Sequence, residues 1–95
     1  MPYAIRLTPA AKRQLRRFVM DPYLRERLVP RIDGLADDPR PDGCKKLAGH
    51  DNRYRIRVGD LRIVYQVDDD QAGVLVLVIG HRRDVYRDLQ RLLRG

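Results

Sequence analysis

The chain has 95 residues, 43% of them hydrophobic and 35% charged, and 20 Lys and Arg against 13 Asp and Glu give a net charge of +7. That length supports one domain with a modest core and leaves no room for a separate cofactor domain, while a lone cysteine, Cys44, excludes a disulfide framework and a thiolate metal cluster. Phosphate-rich polymers are the default partners of so basic a chain, and Val74–Ile79, its longest apolar run, is too short to span a bilayer.

Residues 2–8, "PYAIRLT", alternate as a first strand that ends at Thr8, whose hydroxyl is suited to cap a helix beginning at Pro9. That helix is expected to reach about Val19, burying Ala11, Leu15, Phe18 and Val19 and leaving Lys12, Arg13, Arg16 and Arg17 in solvent. Asp21-Pro22 repeats the cap-then-proline signal, and Leu24, Leu28, Ile32 and Leu35 form a second apolar stripe before the loop "ADDPRPDG". The two helices read as a hairpin. Pro30 lacks an N–H and crowds the carbonyl four residues back, so the second helix is expected to kink or break there.

"YRIRVGDLRIVYQV", residues 54–67, reads as a β-hairpin with Tyr54, Ile56, Val58, Leu61, Ile63, Tyr65 and Val67 on one face. Gly59-Asp60 suits a two-residue type II′ turn, which sets Arg57 directly across from Arg62. Like charges so placed destabilise a sheet. After a polar turn, "DDDQAG", the run "VLVLVI" is apolar at every residue, as expected of a central strand covered on both faces. Gly80 ends it. Asp84 then caps a final helix whose stripe is Val85, Leu89, Leu92 and Leu93, with Tyr86 at the stripe's edge.

The order β-α-α-β-β-β-α describes a small single α+β domain over residues 1–95, with a mostly antiparallel sheet, a helical hairpin on one face and a C-terminal helix. That helix is expected to shield part of the second face. The loop after the central strand then brings Arg82 and Tyr86 near Arg55, Arg57 and Arg62. Neither hairpin strand contains an acid to pair with these arginines, which is a sign of an anion site relieved by charge-assisted hydrogen bonds.

"GCKKLAGHDNRYRIRVGDLRIVYQV" followed by "VLVLVIGHRRDVYRDLQRLL" closely resembles the RelE branch of the RelE/ParE toxin superfamily, and the element order extends the resemblance over nearly the whole chain. It implies the toxin of a type II toxin–antitoxin system, an endoribonuclease that cleaves mRNA in the ribosomal A site, inhibits translation and is neutralised by a cognate antitoxin. Its partners would be mRNA and rRNA, with operator DNA reached only through the antitoxin complex. The location would be cytoplasmic, with no leader and no membrane contact. By position, the resemblance puts catalytic roles on Arg55, Arg57, Arg62, Arg82 and Tyr86; Arg53, Lys45, Lys46 and Arg83 are further candidates for RNA contacts.

Cleavage of this kind needs neither metal nor cofactor, because the ribose 2′-hydroxyl attacks the adjacent phosphate. Relatives often carry lysine where this chain has Arg55 and Arg57, and arginine stays protonated, so these two would supply charge rather than a base. His81 and His50 are the candidates for proton transfer. Three rivals stand beside the ribonuclease. One is a ParE-like toxin that inhibits gyrase, against which Arg55, Arg62, Arg82 and Tyr86 together argue; another is a catalytically weak toxin acting through antitoxin binding and operon autoregulation. The third is a non-catalytic nucleic-acid-binding module.

Overall fold

In the computed structural model, which describes residues 2–94, the elements follow as β1 (Ala4–Leu7), α1 (Pro9–Phe18), α2 (Pro22–Gly34), β2 (Lys45–Lys46), β3 (Arg53–Val58), β4 (Leu61–Asp68), β5 (Gly73–His81) and α3 (Val85–Arg94). Both cap-then-proline signals work as read. The Thr8 hydroxyl accepts from the Ala11 N–H at 3.0 Å, and the Asp21 carboxylate accepts from the Tyr23 N–H at 2.9 Å.

The five strands lie in the order β1-β5-β4-β3-β2, antiparallel except where β1 runs parallel to β5. β2 is a correction to the four strands expected. A two-residue strand holds too short a pattern for alternation to reveal it, and it forms by pairing Lys45 with Arg55 and Lys46 with Tyr54. α2 also runs through Pro30 without a break. Pro30 and Glu26 are both exposed, so the Glu26 carbonyl that loses its helical partner faces water.

Gly59 adopts φ +60° while Asp60 stays at negative φ, the signature of a type II′ turn, and the register sets Val58 against Leu61 and Arg57 against Arg62. Ile56, Val58, Leu61, Ile63, Tyr65, Val67, Val74, Val76 and Ile79 pack beneath α1 and α2 with Ala11, Leu28, Ile32 and Leu35. On the opposite face, Val64, Leu77 and Val78 pack against Val85 and Leu89 of α3. The apolar run Val74–Ile79 of β5 is therefore covered on both faces as expected, although β4 holds the middle of the sheet and β5 lies second.

A β-bulge interrupts the β4–β5 ladder, because Val64 pairs with Val78 but Tyr65 pairs with Val76. Leu77 is the extra residue. It joins Val78 on the α3 side, so the alternation that puts Val74 and Val76 inward breaks at Val78, and Ile79 takes the inward place. Leu93 is a second departure at 46% exposure, since the apolar cluster under α3 reaches Leu92 but not Leu93.

A polar clamp ties the loop after α2 to the sheet's far end. Arg40 donates to both Asp69 carboxylate oxygens at 3.2 and 2.9 Å and to the Tyr54 hydroxyl at 3.0 Å, while the Tyr3 hydroxyl donates to Asp69 at 2.6 Å. Arg40 first, and then Tyr3, hold the Asp69 carboxyl below its ordinary value of 3.8. A depressed carboxylate stabilises the fold above its unfolded pKa, and that contribution is lost as pH falls through the folded one. Asp69→Asn is expected to lower the melting temperature at pH 7 slightly, and acid titration below pH 4 should then destabilise the variant less steeply than the parent; equal slopes would show that the clamp is not titrating.

Candidate functional site

Residues directly opposite one another in antiparallel strands share a face. On the face where α3 packs, the ladder therefore places Lys45 beside Arg55, Arg57 beside Arg62, Arg53 beside Gln66, and Arg62 beside Gly80. α3 covers Val64 and Val78 but stops short of the arginines. Gly80 offers no side chain to fill the space across from Arg62, and a Cβ there would meet only Val85 at 3.7 Å.

Arg55 and Arg62 are each only 9% exposed, whereas Arg57 and Arg82 lie open to solvent and Tyr86 is 40% exposed. Burial, and after it the charges of Arg57 and Arg55, push the Arg62 guanidinium below its ordinary pKa; Tyr86 opposes this and Arg82 adds to it. Arg57, Arg55, Tyr86 and Arg82 thus all lie near enough to act on Arg62. Among the described residues, none of the four arginines is ion-paired. Arg62 reaches only the carbonyls of Leu61 and Gly59, at 3.3 and 3.5 Å.

Two backbone features hold the Arg82 loop. The Arg82 N–H donates to the Asp60 carbonyl at 3.2 Å, tying it to the hairpin turn, and the Asp84 N–H closes a tight turn on His81 at 2.9 Å. Asp60, His81, Arg82, Arg83 and Asp84 line an open depression of about 450 Å³ here. A second, of about 380 Å³, is lined by Lys45, Arg55 and Arg57 with Arg31, Gly43 and Cys44. The second hollow is cationic, with three arginines and a lysine and no acid in its lining, whereas in the first two carboxylates stand against the two guanidiniums.

The remaining expected site residues divide. His81 pairs in register with Leu61, and its ring meets Phe18 edge-on at 5.8 Å between centroids, so it points to the helical-hairpin side and away from Arg62. The His50 ring nitrogens lie 3.1 Å from Arg53 Nη1, and Arg53 Nε donates to Gln66 at 3.4 Å, which leaves both residues beside the cluster rather than in it. Lys46, opposite Tyr54, is on the helical face and lies 3.9 Å from Asp51. Lys45 and Arg83 border the cluster. Sequence reasoning passed over Gln14, which is 9% exposed and bonded to both β5 and α3; a polar residue inside the Ala11, Leu15, Phe18 stripe was the available signal.

Among the described residues no group of His, Cys, Asp and Glu is disposed to hold a metal ion, and no helix is long and apolar enough to cross a membrane. Fold and site together define a small α+β domain that gathers unpaired arginines on an open part of its sheet. Residues 5–86 match the family model for the ParE toxin of type II toxin–antitoxin systems, parDE. Toxin RelG of Mycobacterium tuberculosis is 33% identical over 91 residues, spanning 92% of this chain and 99% of its own. Among solved structures, an arginine-to-alanine double mutant of Escherichia coli RelE in the free state superposes with a TM-score of 0.77 at 26% identity, covering 96% of this chain and 97% of that one. The toxin in the RelBE2 toxin–antitoxin complex of M. tuberculosis gives 0.72 at 29% identity, covering 88% and 95%. The chain belongs to the RelE/ParE superfamily of type II toxin–antitoxin toxins. Solved structures of several of these relatives hold the toxin together with its antitoxin.

Proposed function

We propose that this toxin is a metal-independent endoribonuclease that cleaves mRNA in the ribosomal A site, with the arginine cluster as its active site. The observation that carries this reading is Arg62, a nearly buried guanidinium under the charges of Arg57, Arg55 and Arg82, none of the four being ion-paired among the described residues. Such an arrangement raises the energy of the empty site and is relieved by a bound phosphate. The chemistry forms a bond from the 2′-oxygen to phosphorus and breaks the bond from phosphorus to the 5′-oxygen, leaving a 2′,3′-cyclic phosphate and a 5′-hydroxyl.

Negative charge grows on the phosphoryl oxygens as the pentavalent state forms. Arg62 and Arg82 hold those oxygens, and fixed donors of this kind are worth about 2.7 to 4 kcal/mol each in the transition state. Arg55 and Arg57 add field and fix the neighbouring backbone. Tyr86 is the one neutral acid among the five and delivers the proton to the leaving 5′-oxygen. Arginine cannot take the 2′-proton, and His81 and His50 face Phe18 and Arg53, so that proton goes to water or to a ribosomal group.

The test is to induce the toxin with and without its antitoxin and map the 5′ ends of ribosome-bound mRNA. New ends within A-site codons are expected, absent when the antitoxin is present and reduced at least tenfold by Tyr86→Phe. The match to the ParE family model favours a second reading, inhibition of DNA gyrase. Growth arrest with unchanged transcripts and gyrase-linked DNA breaks would establish that reading and overturn the first.

A further inference from the structure

The segment that carries Arg82 and Tyr86 is the junction between β5 and α3, and its two ends are joined by one buried side chain from another part of the chain. Gln14 Oε1 accepts from the Ile79 N–H at 2.7 Å, and Gln14 Nε2 donates to Asp88 Oδ2 at 3.4 Å. Ile79 precedes Gly80, the residue opposite Arg62, and Asp88 lies two residues after Tyr86. β1 ends its pairing with β5 at Leu7 and Val76, so beyond that point the edge of β5 lacks a strand partner. There Thr8 takes over, its N–H donating to the Val76 carbonyl at 3.0 Å and its hydroxyl to the Leu77 carbonyl at 2.6 Å, and Gln14 continues the support from further along α1.

We infer that Gln14 is a positioning residue for the arginine cluster, setting the distance between the end of β5 and the first turn of α3 and thereby where Arg82 and Tyr86 stand relative to Arg62. An apolar residue in the stripe would fill the space equally well, yet would leave the Ile79 N–H without an acceptor and α3 tied only by its apolar face. Only an amide serves, because it must accept from a backbone N–H and donate to a carboxylate at once. Glutamate keeps the first bond but sets a second negative charge against Asp88. On the other side, the Asp60 carbonyl holds the Arg82 N–H, so the loop is fixed both to the hairpin turn and, through Gln14, to α1.

This inference rests on the ribonuclease reading for its catalytic consequence, but its geometry is tested separately. Gln14→Glu is expected to slow single-turnover cleavage of mRNA on programmed ribosomes roughly tenfold at saturating toxin, with the half-saturating toxin concentration unchanged, as for a modest displacement of reacting groups. Combining it with Asp88→Asn restores the complementary pair in reverse, and the double variant should recover to within about threefold of the parent. Gln14→Glu cleaving at the parental rate, or a double variant no faster than the single one, overturns the inference. Should the parent itself cleave no RNA, the ribonuclease reading fails. Amide hydrogen exchange then decides the geometry: in Gln14→Leu, lost protection at Ile79 and Arg82 with the core amides of β4 unchanged supports it, and unchanged protection overturns it.

Discussion

Replacing Arg62 with methionine is expected to make the protein more stable and nearly inactive. The side chain is 9% exposed, and burial followed by the charges of Arg57 and Arg55 disfavours its charged form, so the folded state carries an electrostatic cost that an apolar stem of similar length removes. Its hydrogen bonds to the Leu61 and Gly59 carbonyls, at 3.3 and 3.5 Å, are too long to offset this. A gain of about 1 kcal/mol is expected, read as a higher melting temperature. Over the same change, A-site cleavage should fall by about two to three orders of magnitude, the usual effect of losing one fixed donor to a developing anion. A melting temperature that drops by several degrees would show that Arg62 supports the fold, and undiminished cleavage would remove it from the chemistry.

Leu28→Ala should unfold a large fraction of the protein under conditions where Leu93→Ala does nothing measurable. Leu28 is fully buried between α2 and the sheet, and deleting it loses transfer energy and leaves a cavity, together about 2 to 5 kcal/mol. That is a substantial share of the stability of a domain this size, for which 5 to 15 kcal/mol is typical. Leu93 belongs to the same kind of stripe in the sequence but is 46% exposed, and its truncation should stay within about 0.5 kcal/mol. Urea denaturation of the two variants measures both, and comparable losses would mean that α3 packs more deeply than its burial indicates.

These contrasts show where sequence is a good guide and where it stops. Caps at Thr8 and Asp21, the Gly59-Asp60 turn and the Arg57 to Arg62 register are legible because each depends on a few adjacent residues and a fixed period. The convergence of Arg82 and Tyr86 on the hairpin follows from pairing the last two strands, again a local step. The side on which His81 lies is not legible in the same way: adjacency to Arg82 in the chain says nothing of the face, which depends on a bulge four residues earlier. Gln14 needed the knowledge that β1 ends before β5 does, and Pro30 needed the solvent exposure of its turn. Only Gln14 carries a local hint, as a polar residue within the apolar stripe of α1, and its partners lie far along the chain.

The extra residue at Leu77 has a consequence for which changes in chain length β5 could accept. Removing one residue at the bulge would leave a regular ladder in which Ile79, Gly80 and His81 keep the sides they now occupy, with Gly80 still across from Arg62. Removing one between Ile79 and His81 would instead reverse the side of everything that follows and carry the Arg82 junction around the sheet. Along this strand, then, loss of a residue is graded by its distance from one slack point, and homologues differing by a single deletion should lose it there.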